Sequence, residues 1–138
     1  MSVDRLLDTN VLVYAVSSAP EDSSKQNAAL SLLEEPFGIS GQILQEFYVN
    51  VTRKIRIKLQ AEEALAWVEM LSLQPCVPID ADIVKRGVEL SERHRISYWD
   101  GAIVAAAEVL GAKTLFTEDL AHERRYGSVQ AINPFIGL

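Results

Sequence analysis

Four acidic residues stand where the chain changes from one kind of segment to another: Asp8, Glu46, Asp100 and Asp119. Asp8 closes the apolar run Arg5-Leu6-Leu7, and Thr9-Asn10 follow before apolar residues resume at Val11-Leu12-Val13-Tyr14. That order predicts a buried strand, a sharp stop and a helix start. A carboxylate at the end of a buried parallel strand lies in the crevice where open α/β sheets bind ligands. Four carboxylates around one point cannot all stay charged without a bound cation or a shared proton. An all-oxygen ligand set suits Mg2+ or Mn2+ rather than Zn2+. Mg2+ takes few carboxylates, keeps several waters and leaves room for a substrate phosphate. Such a site acidifies water and neutralises phosphate in an in-line displacement.

The segments around these acids alternate between strand and helix. Residues 5–8 read as a strand and 10–16 as a short helix. A polar loop follows over 17–24, then a helix over 24–33 that Pro36 ends. Residues 37–40 read as a strand, and Ser40 can cap a helix over 41–54. With Glu46 at zero and about 100° per residue, Ile43, Phe47, Val51, Leu44 and Tyr48 fill an arc from about 60° to 200°. Glu46 lies just outside that arc, with Asn50 and Arg53 near its meridian. Glu46 therefore sits where a buried face meets a cleft, although a lone Glu there is also read as a solvated helix residue.

Residues 61–73 form a further helix, with Trp67 and Met70 as core candidates. The Pro-flanked segment 75–79 reads as an edge strand. Asp80 caps a helix over 83–93, and Gly111 ends a buried helix over 101–110. Asp100 falls in the first turn of this last helix, where the macrodipole favours negative charge; capping is its simpler explanation. Residues 114–117 and 129–134 complete the strands, separated by a polar, charged segment with room for one more helix. Strands alternating with helices imply a parallel sheet covered on both faces.

The 138 residues fit a single domain, 1–138, with an ordinary globular composition. One cysteine, Cys76, excludes an internal disulfide and fits a reducing compartment. No basic-then-apolar leader opens the chain, and the apolar run 101–110 is too short for a bilayer, which needs about 20 residues. A cytoplasmic protein with no membrane association is expected. The net charge of −6 argues against a simple phosphate binder. Cations are nevertheless concentrated: Arg53, Lys54, Arg56 and Lys58 fall close together and are candidates for phosphate contact.

Other chemistries lack their parts. There is no Gly-rich phosphate loop and no Cys/His spacing for zinc. His94 and His122 are the only histidines, and neither has an evident partner for metal-free RNA cleavage. A Ser-His-Asp set has no nucleophile elbow to support it.

Five segments in order resemble the PIN domain, and more narrowly the VapC-type toxins of type II toxin–antitoxin systems. They are Leu6-Leu7-Asp8-Thr9-Asn10-Val11-Leu12, Gln45-Glu46-Phe47, Tyr98-Trp99-Asp100-Gly101-Ala102-Ile103, Leu115-Phe116-Thr117-Glu118-Asp119-Leu120 and Ile132-Asn133-Pro134-Phe135. The resemblance implies a three-layer, Rossmann-like α/β fold with a central parallel sheet flanked by helices. It implies an endoribonuclease using Mg2+ or Mn2+, whose acids are Asp8, Glu46, Asp100 and Asp119, with Asp8, Asp100 and Asp119 on the metal. Thr9, Asn10 and Thr117 match supporting positions. It further implies a VapB-type antitoxin that occludes the cleft, and a homodimer. Related toxins often read His-Gly after the fourth acid; here His122-Glu123 stands instead, placing an extra acid near the expected cleft.

Two functions of different class follow. One is a metal-dependent ribonuclease restrained by an antitoxin. The other is a PIN-type module that binds RNA or a partner without cutting. A PIN nuclease of RNA processing without an antitoxin is a further form of the first.

Overall fold

The computed structural model describes residues 2–138. Strands Arg5–Leu7 (β1), Ile39–Ser40 (β2), Cys76–Val77 (β3), Thr114–Phe116 (β4), Arg125–Tyr126 (β5) and Val129–Ile132 (β6) are short. Helices Thr9–Val16 (α1), Ser23–Leu32 (α2), Gly41–Val49 (α3), Ala61–Leu71 (α4), Ala81–His94 (α5) and Tyr98–Leu110 (α6) surround them. β1, β4 and β6 pair in parallel, and β5 closes that edge antiparallel to β6. β2 and β3 form a separate parallel pair. A single parallel bridge, Leu6 to Gly38, joins this pair to β1.

Read across that bridge, the strand order is β3-β2-β1-β4-β6-β5. The chain builds outward from β1 in one direction and then resumes on its other side at β4. That reversal makes the gap between the carboxyl ends of β1 and β4 the topological switch point, where a doubly wound sheet opens a crevice.

The mostly parallel α/β sheet agrees with the expected class, and three local differences have physical causes. The charged segment before β6 holds no helix. Gly127, at φ +63°, and Ser128 turn β5 directly into β6 as a two-residue hairpin. The helix expected over 41–54 is α-helical only to Val49, and Asn50–Lys54 widens into a π turn. There the side chains of Asn50 and Thr52 donate to the carbonyls of Glu46 and Tyr48, each at 2.7 Å. Such back-bonding competes with the regular ladder and bends helices. Finally, Met70 is 52% exposed and lies outside the core, whereas Trp67 packs against it.

The core is continuous from the sheet to α6, whose residues Gly101 to Ala107 are all buried. Small side chains let α6 lie close against its neighbours. A Cβ built on Gly101 would stand 2.5 Å from the carbonyl oxygen of Gly87 and 2.9 Å from the backbone nitrogen of Ser91. Both obstacles are backbone, so α5 and α6 would have to separate, and Asp100 is the residue next door. Gly101→Ala is expected to destabilise the fold by about 1–3 kcal/mol, read from urea denaturation; an unchanged midpoint would mean that the two helices are not in contact as described.

Glu123 has φ +69°, the left-handed region that glycine occupies without strain. Its N–H donates to the Ala131 carbonyl at 2.7 Å and its carbonyl accepts from Gln130 Nε2 at 3.0 Å, so the surroundings hold it there. A glycine here would adopt this backbone without strain. Glu123→Gly should therefore raise stability by about 1 kcal/mol, measured as an increase in Tm; a decrease would show that the Glu side chain contributes more than its backbone costs.

Candidate active site

Asp8 ends β1 and begins α1. Its backbone N–H donates to the Phe116 carbonyl at 3.0 Å, which fixes it beside the end of β4. Its side chain is only 4% exposed. Oδ1 accepts from the Thr9 N–H at 2.7 Å, capping α1, and Oδ2 accepts from the Thr117 hydroxyl at 2.8 Å. Thr117 is fully buried just beyond β4. Its one oxygen also accepts from the Asp119 N–H at 3.0 Å and from Asn10 Nδ2 at 3.5 Å. Asn10 Nδ2 in turn donates to Asp119 Oδ2 at 3.1 Å, and Asn10 Oδ1 accepts from the Glu118 N–H at 3.4 Å. Asn10 and Thr117 thus lock the first and fourth acids into one hydrogen-bonded unit.

Glu46 reaches the same place from α3, which Ser40 caps by accepting from the Ile43 N–H at 3.2 Å. Its Oε1 accepts from the Thr9 hydroxyl at 3.2 Å, and its Oε2 from Gln42 Nε2 at 3.0 Å. Gln42 also donates to the Trp99 carbonyl at 3.2 Å, tying α3 to the start of α6. Asp100 occupies the first turn of α6, where its N–H donates to the Ser97 hydroxyl at 3.1 Å. The N-cap of α6 is Ser97, and the Asp100 carboxylate itself is hydrogen-bonded by Ser97.

The four acids influence one another. Burial, above all, pushes Asp8 up to about 7, against the lowering effect of its bonds from Thr117 and Thr9, and the charges of Asp119 and Glu46 push the same way. Asp100 is raised too, mainly by burial, then by Asp119 and Glu46, with the Ser97 hydrogen bond opposing. Among the described residues, no three His, Cys, Asp or Glu side chains are close enough together to enclose a metal ion by themselves.

A cleft of about 430 Å³ opens over this cluster. Thr9, Asn10, Glu46 and Asp119 line it, together with Tyr14, Asp22, Asn50, Arg56 and Glu118. Neither Asp8, buried next to Thr9, nor Asp100 lines the cleft, and neither histidine does; Nδ1 of His122 accepts from the Asn133 N–H at 3.0 Å. Of the four cationic candidates, Arg56 alone reaches the cleft wall, while Arg53, Lys54 and Lys58 are exposed elsewhere. The shared meridian of Glu46, Asn50 and Arg53 extends as far as Asn50 and is broken by the π turn. Glu123 does not line the cleft; its carboxylate stands 3.2 Å from His122 Nε2.

Several residues that line the cleft or bond to its lining had not been singled out from sequence. Gln42 was legible as an i, i+4 partner of Glu46. Tyr14, Lys25 and Glu118 were not, because their contacts join distant parts of the chain. Tyr14 donates to Glu118 Oε1 at 3.1 Å, and Lys25 Nζ lies 3.1 Å from the Tyr14 hydroxyl and 3.5 Å from Glu118.

A PIN domain family model matches residues 5–127. The chain belongs to the PIN domain family. The fold of this PIN domain is shared with solved structures of low sequence identity. A toxin–antitoxin complex from Klebsiella pneumoniae aligns with a TM-score of 0.71 and 21% identity, covering 96% of this chain and 98% of that one. The sarcin-ricin loop cleaving toxin VapC20 of Mycobacterium tuberculosis aligns at 0.63 and 18%, covering 84% and 92%. VapBC2 of Rickettsia felis, bound to a promoter DNA fragment, aligns at 0.62 and 23%, covering 94% and 97%. No curated protein matches the chain.

The raised Asp8 pKa makes stability depend on pH in the metal-free PIN domain. The folded chain holds this proton more tightly than the unfolded chain, so stability falls as pH rises from about 4 to about 7. Asp8→Asn removes the charge while keeping the shape. Its Tm, in EDTA, should exceed the wild-type value near pH 8, and the advantage should shrink towards pH 5. A difference that does not change with pH would mean that Asp8 ionises as an ordinary carboxyl.

Proposed function

We propose that this PIN domain is a metal-dependent endoribonuclease, the toxin of a VapBC-type toxin–antitoxin pair. The observation that supports this reading is the hydrogen-bonded Asp8–Thr117–Asn10–Asp119 unit at the sheet's switch point, which Glu46 joins through Thr9 at an open cleft that no histidine lines, with Asp100 near enough to feel the charges of Glu46 and Asp119. The carboxylate donor set suits a hard cation, and the raised proton affinities of Asp8 and Asp100 are the strain a cation would relieve. Mg2+ or Mn2+ would be held by Asp8, Asp100 and Asp119. Because no three acids enclose an ion directly, some of these would act through water, as Mg2+ sites commonly do. When bound, the ion offsets phosphate charge and favours deprotonation of water.

The chain's own groups then have separable tasks. Thr117 and the Thr9 N–H hold Asp8 in one orientation, and Asn10 does the same for Asp119. Glu46, turned to the cleft by Gln42 and Thr9, is placed to accept a proton from an attacking water. Attack by water at phosphorus leaves the 2′-hydroxyl of RNA uninvolved. With the P–O3′ bond breaking in line and the 3′-oxygen leaving, the products are a 5′-phosphate and a 3′-hydroxyl.

The cellular reading adds a VapB-type antitoxin occluding the cleft and a homodimer. Its support is the fold shared with toxin–antitoxin complexes over nearly the whole of both chains. A second reading, a PIN module that binds RNA without cutting, is favoured by the absence of three acids in enclosing geometry.

Cleavage of total RNA by the purified protein separates these readings. Activity should stop in EDTA, return with Mg2+ or Mn2+ and fail to return with Ca2+, whose larger, looser shell positions water poorly. Asp8→Asn should lower the rate by about 100-fold or more. A 2′,3′-cyclic phosphate on the product, or cleavage blocked by a 2′-deoxy residue at the scissile position with binding intact, would overturn the mechanism. RNA that is bound yet uncut with either metal would favour the second reading.

A further inference from the structure

The cleft wall carries four acids, Asp22, Glu46, Glu118 and Asp119, and one cation, Arg56. Arg56 does not face the cleft unengaged. Its Nε donates to Glu21 Oε2 at 2.7 Å and its second guanidinium nitrogen to Glu21 Oε1 at 2.6 Å. This is a two-point fork between the short 3-10 turn Pro20–Asp22 and the segment that follows the π turn. The neighbouring Asp22 is occupied differently, accepting from the Ser17 hydroxyl at 2.7 Å. A guanidinium fork matches a carboxylate and a phosphate with the same geometry.

We propose that Glu21 fills an RNA-phosphate subsite on Arg56 in the free protein, and that a substrate phosphate takes its place on binding. The inference rests on the ribonuclease reading and adds to it a subsite and an internal competitor. Position supports it. Along α3, Asn50 lies one helical turn, roughly 6 Å, beyond Glu46, and both line the cleft together with Arg56. An RNA strand with its scissile phosphate at Glu46 and running past Asn50 meets Arg56 next. Energetics support it as well. Both members of the pair are more than half exposed, and an exposed ion pair contributes little net stability, so a phosphate can displace the carboxylate. In a chain of net charge −6, the one cation on the cleft wall is thereby masked until a polyanion competes for it.

The test is a double-mutant cycle on binding of a single-stranded RNA oligonucleotide, followed by fluorescence anisotropy at low salt in Ca2+. The proteins are wild type, Glu21→Gln, Arg56→Gln and the double variant, each checked for an unchanged circular dichroism spectrum. Glu21→Gln should tighten binding by about two- to fivefold. Arg56→Gln should weaken it, and adding Glu21→Gln to Arg56→Gln should change nothing further. The cycle separates exchange from a general charge effect. An equal gain from Glu21→Gln with Arg56 absent overturns the proposal, as does an unchanged or weakened affinity with Arg56 present. Wild-type protein that cuts RNA while showing either result would overturn this inference alone; wild-type protein that neither binds nor cuts RNA would overturn the ribonuclease reading with it.

Discussion

A carboxylate buried at the end of a strand is the constraint on which the site depends. Asp8 has lost its water and received two hydrogen bonds in exchange, from the Thr9 N–H and the Thr117 hydroxyl. Those bonds compensate its charge only in part, which is why its proton affinity remains high. Thr117 cannot move without exposing Asp8, releasing the Asp119 N–H and loosening Asn10. One hydroxyl therefore couples the ends of β1 and β4 to the loop that presents the fourth acid.

The remaining acids are added from outside this unit. α3 brings Glu46 through Thr9 and Gln42, and α6 brings Asp100 through the close approach of Gly101 to Gly87. Asp8, Glu46 and Asp119 thus bring like charges together, and Asp100 stands near enough to feel two of them, an arrangement unfavourable in itself that a ligand of opposite charge would relieve. The cleft is correspondingly poor in cations. Attraction of a polyanion would then depend on a bound ion and on Arg56, whereas the charge of the whole molecule opposes it.

Much of this architecture was legible because chemistry and periodicity agree. Asp8 stands immediately after an apolar strand and Asp119 three residues past the end of another, and Asp100 lies in the first turn of a helix too apolar to lie anywhere but inside. Glu46 was harder, since a helix-edge Glu has two readings that only its tertiary neighbours separate. What escaped was governed by local competition or by distance. The π turn begins at Asn50, whose side chain and backbone N–H both donate to the Glu46 carbonyl, and beyond it the angular position assigned to Arg53 did not survive. The β5–β6 hairpin was hidden because Arg124 and Arg125 gave its segment the polarity of a loop, leaving Gly127 as the one clue. Arg56 was grouped with its charged neighbours, and nothing in the sequence pairs it with Glu21, far away along the chain. Met70 was assigned to the core on hydrophobicity alone, an argument that fails for any apolar side chain on the outer side of its helix.

The single bridge between Leu6 and Gly38 divides the sheet unequally. On one side, β1 and β4 carry Asp8, Thr117 and Asp119; on the other, the β2–β3 ribbon leads into α3 and Glu46. Proteins open in cooperative blocks whose borders follow weak backbone pairing. The joint at Gly38 is narrow in backbone pairing, with the Gly38 N–H donating to the Arg5 carbonyl at 2.7 Å and the Leu7 N–H to the Gly38 carbonyl at 3.2 Å, while one shared core packs the two sides together. Glu46 is tied across this joint by Thr9, whose backbone N–H donates to Asp8 while its hydroxyl donates to Glu46.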